Sequence, residues 1–519
     1  MLSALIILIP LIILVVILRR AFPRRNLPPG PRGMPVIGNL FDLPPSGVQE
    51  WHHWLKHKSL YGPISSVTVL GQTLILINDR ALAVQILDKN AAKHSSRPHL
   101  NFTELTGWGN VPSSQDNGPL LRRYRRAMTR VLGTRESTSR FDRLLELEAR
   151  RFACRVLQTP EDFAAHNRTA AGAFILNIIY GYHIEPFGED PLVRLADQAM
   201  KEFADAVVPG AWLVDVIPAL KYLPSWMPRA GFQHVARRYL ATVTRFVEDP
   251  FAFAKCKMSD EDRPCFVSTL LSQGEDDKIV KWAALGLYGG GSDTSVGVLE
   301  AFFLAMMVFP DVQRTAQAEL DAVLGTPVLP TTADRDRLPY VNALVQECLR
   351  WHTMTPLGLP HRTDADDLVD GLLIPKNAIL IPNIWAFNND EEIYRNPREF
   401  RPERFLSEND SHPSLDPAEV SFGFGRRVCP GRQIAETSIF LMIAHTLALF
   451  NIYKARDEQG REIEPAVDFM PGILSHPAPY AAVFTPRSAD HERILREFEK
   501  EHPFGRGDSE ELQRIVGLE

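Results

Sequence analysis

The sequence predicts a mainly α fold with a small β subdomain, and three observations predict it. Apolar residues recur at helical spacing over 139–157, 234–255, 279–308, 311–324, 339–352 and 432–450. One early pair of runs, ISSVTV at 64–69 and TLILI at 73–77, reads as a hairpin about the Leu70-Gly71 turn. Short extended pieces such as 371–382 lie between the last helices. At 519 residues the chain exceeds the size at which one core stops growing, so even a helical body can enclose a ligand.

Charge and cysteine usage narrow the function classes. A formal net charge of -6 is small for this length and gives no sign of a nucleic-acid binder. Cys154, Cys256, Cys265, Cys348 and Cys429 form no CxxC pair. Their odd number and irregular spacing argue for a reducing compartment, against a disulfide framework and against a structural zinc site. One cysteine at most should carry chemistry.

From the start of the chain, residues 2–18 (LSALIILIPLIILVVIL) are uncharged and just long enough to span a hydrocarbon core of ~30 Å. Arg19, Arg20, Arg24 and Arg25 follow, and that flank predicts a single-pass transmembrane anchor with the remainder cytosolic. A cleaved signal peptide is the alternative, but a basic n-region and a small-residue cleavage site are both missing. Residues 19–40 are basic and then proline-rich. LPPGPRGMPVIG (27–38) can form neither a helix nor a central strand and predicts a stiff hinge. Residues 41–490 are expected to be the catalytic domain, and 491–519 a charged C-terminal surface tail, with a helix as one reading of it. The sequons at Asn101 and Asn167 should stay unmodified on the cytosolic face. The triplet Arg506-Gly507-Asp508 reads as a chance match.

Residues 422–431 read Phe-Gly-Phe-Gly-Arg-Arg-Val-Cys-Pro-Gly. Glycines 423, 425 and 431 allow backbone to run close to a flat cofactor. Cys429 then lies just before the apolar helix of Ile434, Ala435, Ile439, Phe440, Ile443 and Leu447. That position predicts a lowered thiol pKa and a stabilised thiolate. Further upstream, 289–295 (GGGSDTS) interrupts a helical run with three glycines costing roughly 1 kcal/mol each. A helix locally opened beside a cofactor is one reading; a phosphate loop is another, although the Walker pattern is absent. In 347–350, Glu347 and Arg350 share a helix face, either as a solvated pair or, given apolar flanks, as a buried one needing a further partner. Arg404 in Pro402-Glu403-Arg404-Phe405 can supply it.

The ten-residue cysteine pattern FxxGxRxCxG resembles the haem-binding signature of the cytochrome P450 family at every defining position. GGSDTS resembles that family's oxygen-activation motif, while ECLR and PERF resemble its ExxR and PERF motifs, all in family order over residues 27–486. The resemblance implies the cytochrome P450 fold and haem b (iron protoporphyrin IX) with Cys429 as the axial iron ligand. An anionic sulfur pushes electron density onto iron and favours O–O cleavage. Phe422 would pack beneath the macrocycle, with Gly431 allowing close approach, and Arg427 would pair with a propionate. Thr294 is expected to hydrogen-bond bound dioxygen, with Asp293 helping to supply protons. Glu347, Arg350 and Arg404 would form a structural network. The stretch 118–126 resembles the helix whose WxxxR motif clamps a propionate; Arg125 is retained, but Leu121 stands at the tryptophan position. His361, in Leu359-Pro360-His361-Arg362, falls where the family places another propionate partner, though a surface histidine remains the alternative.

The same resemblance implies NADPH as the indirect electron source through NADPH–cytochrome P450 reductase, with cytochrome b5 as a second donor. It also implies location in the endoplasmic reticulum membrane. Phe102, Trp108, Leu287, Tyr288, Leu357, Leu359, Ile473 and Leu474 would line the substrate pocket, or else serve as core. Their apolar character favours a lipophilic small molecule. Residues 211–228 combine three prolines, two tryptophans and many aliphatics, and either dip into membrane lipid or pack on the core. The leading expectation is monooxygenation of an apolar substrate, most like fungal secondary-metabolite members. A haem-thiolate isomerase or dehydratase and a non-enzymatic haem sensor are the alternatives.

Overall fold

The computed structural model describes residues 26–208, 210–224, 227, 231–258, 263–406 and 415–517. The expected anchor at 2–18 and the basic cluster after it lie outside these residues. The chain divides into two units, one of residues up to Pro98 with Pro356–Phe387 and Phe424–Arg427, the other of the remainder.

The first unit holds helix α1 (Glu50–Tyr61) and six strands: β1 (Ile64–Val69), β2 (Gln72–Ile77), β3 (His361–Arg362), β4 (Asp367–Val369), β5 (Leu372–Ile374) and β6 (Ile379–Pro382). β1 and β2 pair antiparallel, Ile64 opposite Ile77 and Val69 opposite Gln72. The turn places Leu70 at φ 49° and Gly71 at φ 91°, the two left-handed residues whose twist suits a tight hairpin. β6 adds parallel to β2 and β3 antiparallel to β6, giving the order β1-β2-β6-β3. Val67, Leu74, Leu76, Ile379 and Ile381 of this sheet bury against Trp54 of α1.

The proline segment is docked along β1. The Ser66 N–H donates to the Pro29 carbonyl at 2.9 Å and the Asn39 N–H to Thr68 at 2.7 Å. The Thr68 N–H donates in turn to Asn39 Oδ1 at 2.9 Å. Gly30 is required there, because a Cβ would sit 1.9 Å from the Ser66 carbonyl oxygen.

The second unit is helical: α2 (Pro119–Leu132), α3 (Asp142–Gln158), α4 (Phe163–Tyr180), α5 (Pro191–Ala206), α6 (Gly231–Cys256), α7 (Asp277–Val308), α8 (Pro310–Leu324), α9 (Pro339–Trp351) and α10 (Arg432–Leu449). The hairpin of β7 (Phe450–Lys454) and β8 (Ala482–Pro486) follows, then α11 (Ala489–Glu501) and α12 (Ser509–Val516). Among the described residues α7 is the one helix long and apolar enough to cross a membrane, yet 72% of its apolar window is buried within the protein. It is the core helix. The Asp276 carboxylate caps it, accepting from the Lys278 and Ile279 N–H groups.

Two expectations differ here. The glycine run does not break the helix, since α7 is continuous through 289–295. Close packing explains two of the glycines: a Cβ at Gly291 would lie 2.7 Å from Ile175 of α4, and one at Gly289 would lie 3.0 Å from Met200 of α5. The end of the chain is two docked helices. His491, Leu495, Phe498 and Leu512 are buried, and Asp508 accepts from the His183 N–H and from Arg263. Asp508 of the RGD triplet is therefore a structural residue. Asn167 is also fully buried, its amide donating to the Val296 carbonyl, so in the folded chain its sequon is closed.

Candidate active site

Cys429 is held by its own loop. Its N–H donates to the Phe422 carbonyl at 2.8 Å, and the Gly431 N–H donates to its sulfur. Gly431 is the N-cap of α10. Arg125 of α2 donates to the Val428 carbonyl and lies close enough for its charge to favour a thiolate at Cys429. Phe422 lies partly buried against the core with the Arg432 guanidinium 5.4 Å over its ring. The expected lowering of the thiol pKa does not occur: burial pushes Cys429 up, outweighing Gly431, Arg125 and Arg432. A thiolate here needs a metal to take the proton's place. Leu121 is buried on the inner face of α2.

On α7, Gly290 is exposed, and a Cβ there would meet nothing within 4 Å. Thr294, one turn on, shares this open face and donates through Oγ1 to the Gly290 carbonyl at 2.7 Å. Asp293 points into an ion network. His476 Nε2 is 3.1 Å from Asp293 Oδ1, and Arg168 of α4 is 3.3 Å from the same oxygen. Burial alone would raise the Asp293 carboxyl, but His476 and Arg168 hold it below the usual range. Neither His476 nor Arg168 stands out in the sequence.

In the first unit three basic side chains gather. Arg427 donates to the Ser95 carbonyl at 2.6 Å. Buried Arg97 donates to the Leu359 and Pro360 carbonyls at 2.6 and 2.7 Å. His361 is also buried, so it is not a surface histidine; its Nδ1 lies 2.7 Å from the His94 carbonyl. A carbonyl only accepts, so Nδ1 carries the proton and Nε2 of the neutral ring is bare. Burial, Arg97 and Arg427 hold His361 well below its ordinary pKa. His361 would therefore have to be protonated before donating through Nε2 to a carboxylate. Arg97 is the stronger cation and was missed; a lone arginine in Ser95-Ser96-Arg97-Pro98 carries no motif of its own.

Glu347, Arg350 and Arg404 form a buried network, each at most 1% exposed. Arg350 grips Glu347 by two bonds of 2.7 Å, and Arg404 Nε lies 3.2 and 3.1 Å from the same two oxygens. Their remaining N–H groups reach the Asn388, Arg395 and Glu399 carbonyls. One carboxylate thus serves two guanidiniums, whose other N–H groups are taken up by backbone carbonyls.

The expected pocket residues divide. Tyr288 belongs to the core, fully buried, its hydroxyl on the Leu192 carbonyl and its ring against Tyr180 and Phe246. Phe102 is also fully buried, stacked on Trp212 at 3.7 Å. Trp108 packs edge-on against Phe203, and its buried indole N–H has no partner. Leu287 is buried; Ile473 and Leu474 are half-buried. In the first unit Leu357 and Leu359 are half-buried too.

Each unit taken by itself holds groups that suit haem: in the second, a half-buried cysteine beside a backbone N–H offers a soft ligand for iron, and in the first the Arg97–Arg427 field favours carboxylates. A helical body with this cysteine loop defines a haem-thiolate type of protein. The sequence comparisons name the family. The Cytochrome P450 family model matches residues 28–484. Cytochrome P450 monooxygenase claR from Ampulloclitocybe clavipes is 47% identical, over 91% of this chain and 89% of its own. Cytochrome P450 monooxygenase ppsD from Aspergillus oryzae is 42% identical, over 95% and 94%. O-methylsterigmatocystin oxidoreductase from Aspergillus flavus is 40% identical, again over 95% and 94%. This chain belongs to the cytochrome P450 family, whose members bind haem through a cysteine thiolate.

Proposed function

We propose that this chain is a haem-thiolate monooxygenase that inserts one oxygen atom of O2 into an apolar substrate, by hydroxylation or epoxidation, in fungal secondary metabolism. The observation that carries the reading is Cys429, a solitary cysteine whose sulfur accepts the Gly431 N–H at the head of α10. When bound, haem supplies the iron that activates dioxygen. Cys429 is its thiolate ligand on this reading, and Phe422 and Gly431 shape the loop against the macrocycle. Arg97 and Arg427 of the first unit serve as charge-assisted donors to propionate, and Arg125 of the second has the same chemistry. His361 joins them once a carboxylate has drawn a proton onto Nε2.

At Thr294, proton movement through Oγ1 requires the hydroxyl to turn from the Gly290 carbonyl toward the open face. Asp293 is a carboxylate at neutral pH and accepts a proton from solvent before passing it on. Leu287, Ile473 and Leu474 suit a lipophilic guest.

Electrons come, on this proposal, from NADPH through a membrane-bound cytochrome P450 reductase, with cytochrome b5 as a second donor. Residues 2–18 would anchor the chain in the endoplasmic reticulum membrane with the catalytic domain cytosolic. The exposed Leu213, Ile217 and Tyr222 support a lipid contact for the segment around 211–224.

Microsomes carrying the protein, with reductase and NADPH, should show the reduced carbon monoxide band of a thiolate-ligated haem and NADPH-dependent oxygen uptake. Cys429→Ser should lose the band while keeping the fold; a persistent band would remove Cys429 as ligand.

A further inference from the structure

His476 occupies a built position over α7. Asp293, Gly297 and Glu300 follow one another at i, i+4 and i+7, on one helix face. The imidazole lies over Gly297, where a Cβ would approach His476 Nδ1 to 3.1 Å and Met354 Sδ to 2.1 Å. Its Nε2 meets Asp293 Oδ1 at 3.1 Å, and its Nδ1 meets Glu300 Oε2 at 2.9 Å. A neutral imidazole can donate through one nitrogen only, so two carboxylates on two nitrogens require the imidazolium.

The surrounding chain fixes the ring. The Met470 N–H donates to the His476 carbonyl at 2.7 Å, and the Ser475 N–H to the Met354 carbonyl at 2.9 Å. The Tyr480 hydroxyl donates to the Glu300 carbonyl. Other charged groups close in from neighbouring helices. Arg168 of α4 lies 3.3 Å from Asp293, 3.5 Å from Glu300 and 3.6 Å from Asp197 of α5. His352, just beyond α9, is kept neutral by burial.

We propose that His476 is a positioning residue for proton delivery: bridging Asp293 and Glu300 across Gly297, it holds the Asp293 carboxylate by Oδ1 and leaves Oδ2 to exchange protons. Arg168 approaches the same Oδ1, so both cations leave the same oxygen for transfer. The inference rests on the reading of Asp293 as a proton relay. Although burial pushes His476 down, Asp293 and Glu300 hold it up at about 9 against an ordinary 6.5. The folded bridge is therefore lost as pH rises through about 9, while its contribution to stability is full below pH 6.5 and declines from there to about 9.

The test uses the holoenzyme with reductase and NADPH, comparing wild type, His476→Gln, Glu300→Gln and Asp293→Asn. Two quantities are followed from pH 6 to 10: thermal stability, and peroxide released per NADPH oxidised. The second needs no known substrate, because equivalents that do not emerge as peroxide have reduced dioxygen to water. Wild-type stability should fall between about pH 7 and 9.5, and the His476→Gln curve should lack that fall. The wild-type peroxide fraction, which reports the folded enzyme alone, should rise later, around pH 9. In His476→Gln it should be flat in pH, and flux to water should be about tenfold lower than wild type. Glu300→Gln, which keeps the ring and its Asp293 contact, should move the onset of leakage to lower pH.

If His476→Gln loses the stability window yet releases peroxide as wild type does, while Asp293→Asn leaks, the positioning role is overturned and the relay survives. If Asp293→Asn does not leak either, the relay reading itself falls. Wild-type stability flat from pH 7 to 9.5 would overturn the ion bridge.

Discussion

Of the three consecutive glycines in α7, Gly290 is the one whose added Cβ would touch nothing. Gly290→Ala should raise stability by about 1 kcal/mol through helix propensity. It also places a methyl on the face that carries Thr294, so oxygen uptake should drop; denaturant midpoints and uptake rates check the two effects. Gly291→Ala should instead cost about 1–3 kcal/mol, because Ile175 stands in the way. Asp215 supplies a second residue-level outcome. It accepts the Phe102 N–H at 2.8 Å, its Oδ2 is buried without a partner, and burial pushes its carboxyl up to about 6. The folded state thus holds this proton more tightly than the unfolded chain, and the stabilisation is lost as pH rises from about 4 through 6. Asp215→Asn keeps the acceptor oxygen and should be more stable at pH 7 by about 1–2 kcal/mol, discounted for partial exposure, with the gain shrinking toward pH 4. Legibility at this scale followed motif density. Cys429, Thr294 and Glu347 sit in dense patterns, whereas Arg97 and His476 are isolated basic residues in ordinary loops. Only folding brings His476 to Glu300, 176 residues away in sequence.

Among elements, α9 shows most directly what a sequence pair cannot say about itself. Glu347 and Arg350 have the spacing of a surface ion pair, and only burial together with Arg404 turns them into a core network. Glu347→Gln leaves two guanidiniums without their carboxylate in the interior and should cost about 3–5 kcal/mol. Equilibrium unfolding should register the loss, along with poor haem retention. α4 was not legible as a helix because nearly every face of it is buried and its apolar residues show no period. α7 was legible in extent, yet its glycines suggested a break. Gly289 and Gly291 mark close packing against α5 and α4 instead. The docking of α11 and α12 was hidden by their charge, since three buried residues on α11 and one on α12 suffice to dock helices that are otherwise polar.

At the scale of the whole molecule, composition and periodicity pointed to the mainly helical body and the first hairpin, β1–β2. They could not give the assembly of the first unit from three separated stretches, because β6 reaches its neighbour β2 from about three hundred residues further along the chain and brings β3 with it. One further consequence follows from the proline segment laid along β1. An edge strand with free N–H and C=O groups is a template for intermolecular pairing, and proline-rich cover is a protection against it. The residues often regarded as a disposable tether are therefore a sheath. A chain shortened to begin at Asn26 keeps the Pro29 and Asn39 bonds to Ser66 and Thr68 and should stay monodisperse in light scattering. A chain beginning at Leu40 bares that edge and should self-associate, even though it has lost no catalytic residue and no more of the apolar run than the longer one.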